Sequence, residues 1–361
     1  MTPTASLADI EEKVLADERV SREDCIRLYE SSDIFALGRM ANHVRERRNS
    51  NRAYFIVNRH INPTNLCVNG CRFCAFRREA GQEEAYVLPP EDIRAQAEAC
   101  RETGVTEIHI VGGLHPTLPF SYYLDTLRVV REALPDVHIQ AYTAVEVAYF
   151  AELAGLSVED TLKALRDAGL GSMPGGGAEV FAERVRAEIC PKKLSGEGWL
   201  DVMRAAHGLG IPSNATMLYG HIETVDERVD HLMRLRDVQD ETGGFMTFIP
   251  LAFHPANTEL SDQRRASAFD DLKALAIGRI ALDNFPHIKA FWIMLGVKLA
   301  QVSLSFGVDD IDGTVVEERI THAAGAETPQ ALSRAELVHL IREAGREPVE
   351  RDTVYNIVRR D

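Results

Sequence analysis

The chain has 361 residues, of which 45% are hydrophobic and 26% are charged, and its formal net charge is −15. An acidic chain of this kind is a poor partner for nucleic acid or for an anionic membrane, so we expect neither as a ligand. No apolar stretch reaches the ~18 residues that a membrane-spanning helix needs, and the acidic segment 1–20 has no hydrophobic region typical of signal peptides.

The predicted N-terminal segment, 1–52, is helical, because its apolar residues recur at helical spacing. From residue 53 onward, extended and helical stretches alternate. The predicted strands are 54–60, 106–111, 137–142, 170–173, 211–218, 245–251, 287–294 and 303–308. The predicted helices are 91–103, 120–133, 157–168, 179–189, 197–209, 225–240, 262–283 and 296–302. This alternation indicates a parallel sheet, and about seven or eight units in one run favour an α/β fold of the TIM-type (β/α) barrel.

The predicted domain organisation is a single unit with additions at both ends. The barrel core spans 53–308, and the N-terminal helices close one end of it. The C-terminal extension, 309–361, carries one short predicted helix at 334–343 and packs on the barrel. No low-complexity linker separates these parts, so we expect one domain.

Three cysteines fall within eight residues, with the spacing C-x3-C-x2-C, directly after the first predicted strand: Cys67, Cys71 and Cys74. A structural zinc site would need a fourth Cys or His at a similar short spacing, and none follows. A [4Fe–4S] cluster held by three thiolates keeps one iron open for a small molecule, and we prefer this interpretation. The alternatives are a loop of buried thiols and a zinc site with a distant fourth ligand. The other three cysteines stand alone and are expected to be structural: Cys25, Cys100 and Cys190. This cysteine usage, without an export signal, is typical of a protein of the reducing cytoplasm.

The cysteine spacing, with the aromatic Phe73 before the last cysteine, resembles the signature of the radical S-adenosylmethionine (SAM) superfamily. The resemblance implies a barrel of the radical SAM type and a [4Fe–4S] cluster whose open iron binds SAM. It also implies an external one-electron reductant of the flavodoxin or ferredoxin type, since reduction cleaves SAM to methionine and a 5′-deoxyadenosyl radical. Phe73 would lie near the adenine. Gly112 and Gly113 stand where the superfamily has a glycine-rich SAM contact, although Leu114 replaces the usual acidic residue.

Glycines and polar residues collect at the C-terminal ends of the predicted strands, where barrel enzymes build their active sites. Three of these residues and the apolar Ile222 beside them are predicted to contact SAM: Glu146, Glu179, Ile222 and Glu223. Two histidines at strand ends are predicted to contact the substrate: His221 and His254. The alternatives are that the glycine pair forms a tight turn, that the glutamates cap helices, and that the histidines are hydrogen-bonded core residues.

Longer stretches, among them 58–65, 143–150, 213–224 and 249–255, resemble the aminofutalosine synthases, radical SAM transferases of menaquinone biosynthesis. The resemblance covers about 54–355. It implies an aromatic enol ether as substrate, 3-[(1-carboxyvinyl)oxy]benzoate, with SAM consumed as co-substrate. The adenosyl radical adds to the double bond, and an aryl shift with loss of the carboxyl carbon then gives 6-amino-6-deoxyfutalosine. Two alternatives stay open: a sibling enzyme that abstracts hydrogen, such as cyclic dehypoxanthine futalosine synthase or FO synthase, and a non-catalytic cluster or zinc protein.

The implied substrate carries two carboxylates, so cations are expected at the mouth of the barrel. The candidates are His60, Arg77 and Arg78, together with the two histidines named above. Arginine side chains can hold carboxylates in a bidentate fork, but Arg77 and Arg78 would also be ordinary as solvated charges. No residue pattern indicates acid–base catalysis, and catalytic residues are therefore not assigned.

Overall fold

Three helices precede the first strand in the computed structural model, which describes residues 6–360. They are α1 (Ala8–Leu15), α2 (Arg22–Glu30) and α3 (Ile34–Asn49). A capping box starts α2, because the Ser21 hydroxyl accepts from the Asp24 N–H and the Asp24 carboxylate accepts from the Ser21 N–H. The helical prediction for this part of the chain is confirmed. Its residues 1–5, and residue 361 of the predicted C-terminal extension, lie outside the described residues.

Ten strands are present in the described part of the chain. They are β1 (Arg52–Ile56), β2 (Asn58–Ile61), β3 (Glu107–Ile110), β4 (His138–Ala141), β5 (Ser213–Tyr219), β6 (Phe245–Ala252), β7 (His287–Ile288), β8 (Asp310–Gly313), β9 (Glu347–Arg351) and β10 (Ile357–Arg360). The helices that follow the first two strands are α4 (Pro90–Glu98), α5 (Phe120–Ala133), α6 (Ala144–Ala154), α7 (Val158–Ala168), α8 (Glu183–Ile189), α9 (Gly196–Gly208), α10 (Val225–Thr242), α11 (Ala268–Ala281), α12 (Trp292–Leu295), α13 (Val297–Ser303), α14 (Ile320–Ala323) and α15 (Arg334–Glu343). None of the described helices is both long enough and apolar enough to cross a lipid bilayer.

The strands form three sheets, with the orders β2-β3-β4, β5-β6-β7 and β10-β9-β1-β8. Every pairing is parallel except that of β10 with β9. Strand β5 is buried along its whole length, as expected for a parallel strand covered on both faces. Single parallel bridges lie between neighbouring sheets, each through a residue outside the strands: Gln140 with Ser172, Met173 with Ser213, Lys289 with Asp310, and Arg59 with Val316. Alternating parallel strands and helices are thus present, as predicted, but in three sheets and not in one continuous one.

Four predicted strands need correction. The segment 54–60 is divided at Val57, because β1 pairs with β9 whereas β2 pairs with β3. The segment 170–173 makes only single bridges. Only His287–Ile288 of 287–294 is extended, and α12 follows it. The strand predicted at 303–308 is wrong, because this segment ends α13 and then turns before β8 begins at Asp310.

Sequence analysis also missed four elements: α6, α14, β9 and β10. Strand β9 pairs with β1 over five residues, so the segment 309–361 contributes strands to the same sheet as the N-terminal strand. All the loops at the C-terminal ends of β2 to β8 lie on one side of the fold, because these strands run parallel. The site is built from these loops.

Candidate active site

A cavity of about 320 Å³ lies at the C-terminal ends of the parallel strands. Its wall combines the cysteine loop, the strand-end loops and side chains that point inward from the strands. Ten predicted site residues line it: His60, Cys67, Cys71, Phe73, Cys74, Arg77, Gly112, Gly113, Glu146 and Glu179. The structure therefore brings two thirds of the predicted site to one place.

The three clustered cysteines lie in the loop between β2 and α4, and none forms a disulfide. The Cys74 N–H donates to the Cys71 carbonyl oxygen at 3.1 Å, and the Cys67 N–H donates to the Arg78 carbonyl oxygen at 3.2 Å. Gly70 has a φ of +62°, which lets the chain turn between the first two thiols. Burial raises the pKa of Cys71 to about 12 and also raises that of Cys74. These thiols are therefore protonated without a metal and must lose protons to bind one.

The geometry of this loop can be compared with two kinds of metal site. Among the described residues, no three His, Cys, Asp or Glu side chains are arranged around a single metal ion. A single zinc ion needs all its ligands within ~2.0–2.3 Å of one point. A [4Fe–4S] cluster spreads its thiolates over separate irons, so its ligands need only face one cavity, as these three do. The donor set fits a cluster with three protein ligands.

Gly113 allows the loop after β3 to approach the cysteine loop closely. Its N–H donates to the Thr64 carbonyl oxygen at 2.8 Å. A Cβ at Gly113 would lie 2.2 Å from the Leu66 carbonyl oxygen, whereas a Cβ at Gly112 would lie 3.0 Å from the Thr64 carbonyl oxygen. Position 113 must therefore be glycine, because a Cβ there would clash with the backbone of Leu66, the residue directly before Cys67. Contact of either glycine with SAM stays a prediction.

Glu146 joins the start of α6 to the loop after β3. Its Oε2 accepts from the Thr143 N–H at 2.7 Å and from the Thr143 hydroxyl at 2.8 Å, which completes a capping box. Its Oε1 accepts from the Gly112 N–H at 3.0 Å. Burial raises the pKa of Glu146 to about 7, although these hydrogen bonds oppose the shift. Glu146 therefore caps a helix and also lines the cavity.

Glu179 forms a buried ion pair with Lys193, a residue that sequence analysis missed. Lys193 Nζ lies 2.6 Å from Glu179 Oε1, and the two side chains are 12% and 9% exposed. The same ammonium stands 5.3 Å from the centroid of the Phe73 ring, a cation–π distance. Burial by itself lowers the pKa of Lys193, but the charge of the adjacent Glu179 carboxylate acts in the opposite direction, and the pKa is raised. A permanent positive charge therefore lies beside the cysteine loop.

The inner wall of the cavity consists of polar side chains from the strands. The rings of His60 and His109 stack with their centroids 4.5 Å apart. Burial lowers the pKa of both, and that of His60 falls well below its usual value. His109 Nδ1 lies 3.2 Å from Gln140 Oε1 and, in the neutral ring, can donate to it. Both histidines are uncharged near neutral pH.

Two family profiles match the chain. The radical SAM superfamily profile matches residues 61–235, and the profile described as the CofH/MqnC C-terminal region matches residues 242–360. The chain is 51% identical over 357 residues to an aminodeoxyfutalosine synthase of Thermus thermophilus, covering 98% of this chain and 96% of the relative. The chain belongs to the aminodeoxyfutalosine synthase family of radical SAM enzymes. The family expected from the sequence is confirmed.

Other relatives of this radical SAM enzyme carry different names. A 5-amino-6-(D-ribitylamino)uracil–L-tyrosine 4-hydroxyphenyl transferase of Methanopyrus kandleri is 44% identical over 310 residues, covering 84% of each chain. Among solved structures, the hydrogenase maturase HydG of Carboxydothermus hydrogenoformans superposes with a TM-score of 0.76 over 98% of this chain and 81% of that one, at 20% identity. This likeness shows a TIM-type fold of the radical SAM kind.

Five predicted site residues of this family member lie away from the cavity wall: Arg78, His221, Ile222, Glu223 and His254. The Glu223 carboxylate accepts from the N–H groups of Gly220 and His221 and pairs with Arg228 at 2.6 Å. Burial opposes ionisation of Glu223, but the His221 ring and Arg228 lower its pKa to about 2. Glu223 thereby holds the turn after β5, and its contact with SAM stays a prediction.

The other residues of this group have partners in the protein. His221 Nε2 donates to the Leu218 carbonyl oxygen at 2.9 Å, and His254 Nε2 donates to the Met294 carbonyl oxygen at 2.9 Å. Arg78 donates to the Ala75 carbonyl oxygen and pairs with Glu84 at 2.7 Å. Arg77, which does line the cavity, pairs with Glu79 at 3.0 Å. The substrate contacts predicted for these residues remain untested.

Proposed function

We propose that the chain joins the 5′-deoxyadenosyl group of SAM to 3-[(1-carboxyvinyl)oxy]benzoate and so makes 6-amino-6-deoxyfutalosine for menaquinone biosynthesis. The carbon–sulfur bond of SAM breaks and a carbon–carbon bond forms between its 5′ carbon and the vinyl group. The aryl group then moves from the ether oxygen to the neighbouring carbon, which becomes the ketone carbon as the carboxyl group leaves at the oxidation level of carbon dioxide, and methionine is released. The observation that supports this most is that three free cysteines and an inner wall of polar side chains face one cavity in a member of this family.

Cys67, Cys71 and Cys74 would hold a [4Fe–4S] cluster, which supplies an open iron for SAM and the electron that cleaves it. The chain's own groups would bind and orient SAM beside that loop. Phe73 and Lys193 form one side of this part of the cavity, and Glu146 with Gly112 forms another. Contacts of SAM with these residues, and with Gly113 and Glu179, are part of the proposal.

The proposed chemistry also needs a cavity from which water is excluded, and a closed barrel would provide its wall. We infer that the three sheets together form one such (β/α) barrel. Support comes from the four parallel bridges, because they lie between neighbouring sheets in the order that a closed barrel requires. The fold of HydG supports the same reading.

The small-molecule aromatic enol ether would enter this cavity beside the neutral pair of His60 and His109. An uncharged imidazole can donate one hydrogen bond to a carboxylate without itself carrying a counter-charge. Nearer the cysteine loop, Arg77 would give up its ion pair with Glu79 and form one with a substrate carboxylate. An external one-electron reductant of the flavodoxin or ferredoxin type and a reducing cytoplasm complete the proposal.

The test is product analysis after anaerobic reconstitution with iron and sulfide. With SAM, the enol ether and a chemical reductant, we expect an adduct with the mass of 6-amino-6-deoxyfutalosine and little 5′-deoxyadenosine. Stoichiometric 5′-deoxyadenosine without an adduct would favour hydrogen abstraction of the kind expected for the sibling enzymes. Protein that takes up one zinc and no sulfide would support the non-catalytic alternative and contradict the proposal.

A further inference from the structure

Lys289 is a buried cation in the cavity wall whose hydrogen bonding is incomplete. It follows β7 directly, lines the cavity, and has a side chain that is 8% exposed. Among the described residues its ammonium has one hydrogen-bond partner, Asp312 Oδ1, at 3.4 Å. Charge-assisted hydrogen bonds are typically ~2.7–2.9 Å long, and an ammonium has three N–H groups to satisfy. A buried charge of this kind is costly unless further acceptors reach it.

The other cations of the cavity wall have closer partners. Lys193 pairs with Glu179 at 2.6 Å, and Arg77 pairs with Glu79 at 3.0 Å. Of these three cations, Lys289 has the longest distance to its acidic partner. Its ammonium therefore keeps the most hydrogen-bonding capacity for the carboxylate of a ligand.

The anions near Lys289 are held by other groups. Asp310 pairs with Arg351 at 2.6 Å and accepts from the Tyr355 hydroxyl at 2.8 Å. Glu107 lies 3.4 Å from Asn58 Nδ2 and 3.9 Å from His109 Nδ1. Among residues 6–360, Asp312 is the acidic side chain that contacts the ammonium and so competes for it.

Asp312 belongs to a strained segment that is fixed in place. Asp312, Val315 and Glu317 have φ values of +65°, +47° and +65°, a region that non-glycine residues rarely adopt. Asn58 holds the segment, because its N–H donates to the Thr314 hydroxyl at 3.0 Å and its Oδ1 accepts from the Val315 N–H at 2.8 Å. Strain of this kind persists where surrounding contacts enforce it, and it is typical of binding sites. The backbone that carries Asp312 is thus held in place beside Lys289.

The wall beside Lys289 suits an aromatic ring. Phe291 lies two residues further along the chain, and Ile249 and Leu251 face the cavity from β6. These apolar side chains and the neutral His60 ring offer surface to an aryl group, while the ammonium offers one charged end. A benzoate matches this combination of surfaces.

We propose that Lys289 binds the ring carboxylate of the substrate and thereby points its vinyl group toward the cysteine loop. This inference rests on the proposed function, since it assumes an aromatic enol ether in the cavity. It assigns the ring carboxylate to the strand side of the cavity and leaves the vinyl carboxylate to groups nearer the cysteines.

The test compares Lys289→Met with wild type against two ligands: the full enol ether and its analogue without the ring carboxylate, 2-phenoxyacrylate. Binding is measured by calorimetry on reconstituted, SAM-loaded protein without reductant, so that no turnover occurs. Lys289→Met should weaken binding of the full substrate by about tenfold to a hundredfold, the effect of losing a charge-assisted hydrogen bond. The analogue should bind wild type and Lys289→Met within about twofold of each other. Lys298→Met, which removes an exposed lysine nine positions away, is the matched control and should change neither affinity.

A second variant separates binding from structural support. Asp312→Asn removes the competing carboxylate and keeps its shape, so it should bind the full substrate at least as tightly as wild type. If Lys289 and Asp312 were only a structural ion pair, both variants would weaken binding of both ligands alike, and that result would overturn the inference. Full-substrate affinity unchanged in Lys289→Met would overturn it as well. Should Lys289→Met fold poorly, Lys289→Gln is measured in its place. If wild type neither binds the enol ether nor makes the adduct, the proposed function itself fails, which is a different result.

Discussion

Replacing Gly113 with alanine tests whether the loop after β3 sets the position of the cysteine loop. The new Cβ would lie 2.2 Å from the Leu66 carbonyl oxygen and 2.7 Å from the Leu66 carbonyl carbon, whereas real Cβ contacts stay above 3.0 Å. Both obstacles are backbone atoms, so no side chain can rotate away. The segment before Cys67 must therefore shift by most of an ångström. Overpacking of this kind typically costs about 1–3 kcal/mol.

The expected result is a combined loss. In Gly113→Ala the free energy of unfolding of the metal-free protein should fall by about 1–3 kcal/mol, and iron and sulfide bound after anaerobic reconstitution should fall well below wild type. Gly112→Ala should show a smaller effect, because its nearest backbone atom, the Thr64 carbonyl oxygen, lies at 3.0 Å. Gly208→Ala, at the end of α9, is the matched control, since its Cβ would meet nothing within 4 Å. The reasoning is refuted if Gly113→Ala matches Gly208→Ala in both measurements, or if it assembles a full cluster and loses only SAM binding.

Three further predictions concern other parts of the molecule. Cys71→Ala should abolish iron and sulfide binding, whereas Cys25→Ala, at a buried cysteine outside the loop, should retain both; equal metal content in the two variants would remove Cys71 from the ligand set. Lys193→Met leaves the Glu179 carboxylate buried without its partner, so the free energy of unfolding from denaturant titration should fall by about 3–5 kcal/mol. No loss of stability would contradict this. Burial lowers the pKa of His207 to about 4, so below about pH 6.5 the unfolded chain binds a proton that the folded chain does not. The free energy of unfolding should therefore fall by about 2 kcal/mol between pH 7 and pH 5 because of this residue. His207→Gln should reduce that fall, and an unchanged pH dependence would contradict the prediction.

The alternation of strands and helices was predictable because parallel strands such as β1 and β6 contain short apolar runs bounded by glycine or polar residues. The same rule failed at 303–308. Leu304 and Val308 are fully buried there, but they follow α13 in a turn, and a short apolar run does not distinguish a strand from the end of a helix. Strand β9 was missed because its sequence is polar, although the strand is largely buried. It contains Glu350 and Arg351, whose burial is compensated by their ion pairs with Arg334 and Asp310.

The cysteine ligands were predictable from local spacing, whereas the buried lysines were not. Lys193 acquires its role through Glu179, 14 residues away, and Lys289 through Asp312, 23 residues away. Sequence alone shows neither pairing, because the two partners lie in separate segments of the chain that the fold brings together. Local pattern also does not show which glutamates line the cavity. Glu146 lines it, whereas Glu223 lies away from its wall and holds the turn after β5, although both follow strands.

The central claim is that the 5′ carbon of SAM becomes bonded to the substrate in this cavity, and isotope labelling tests it most directly. SAM carrying ¹³C at the 5′ carbon is incubated, under anaerobic reducing conditions, with enol ether carrying ¹³C in the vinyl carboxylate. The account predicts a product that contains the first label and lacks the second. A product that keeps the carboxylate label, or recovery of the 5′ label only in 5′-deoxyadenosine, would contradict it.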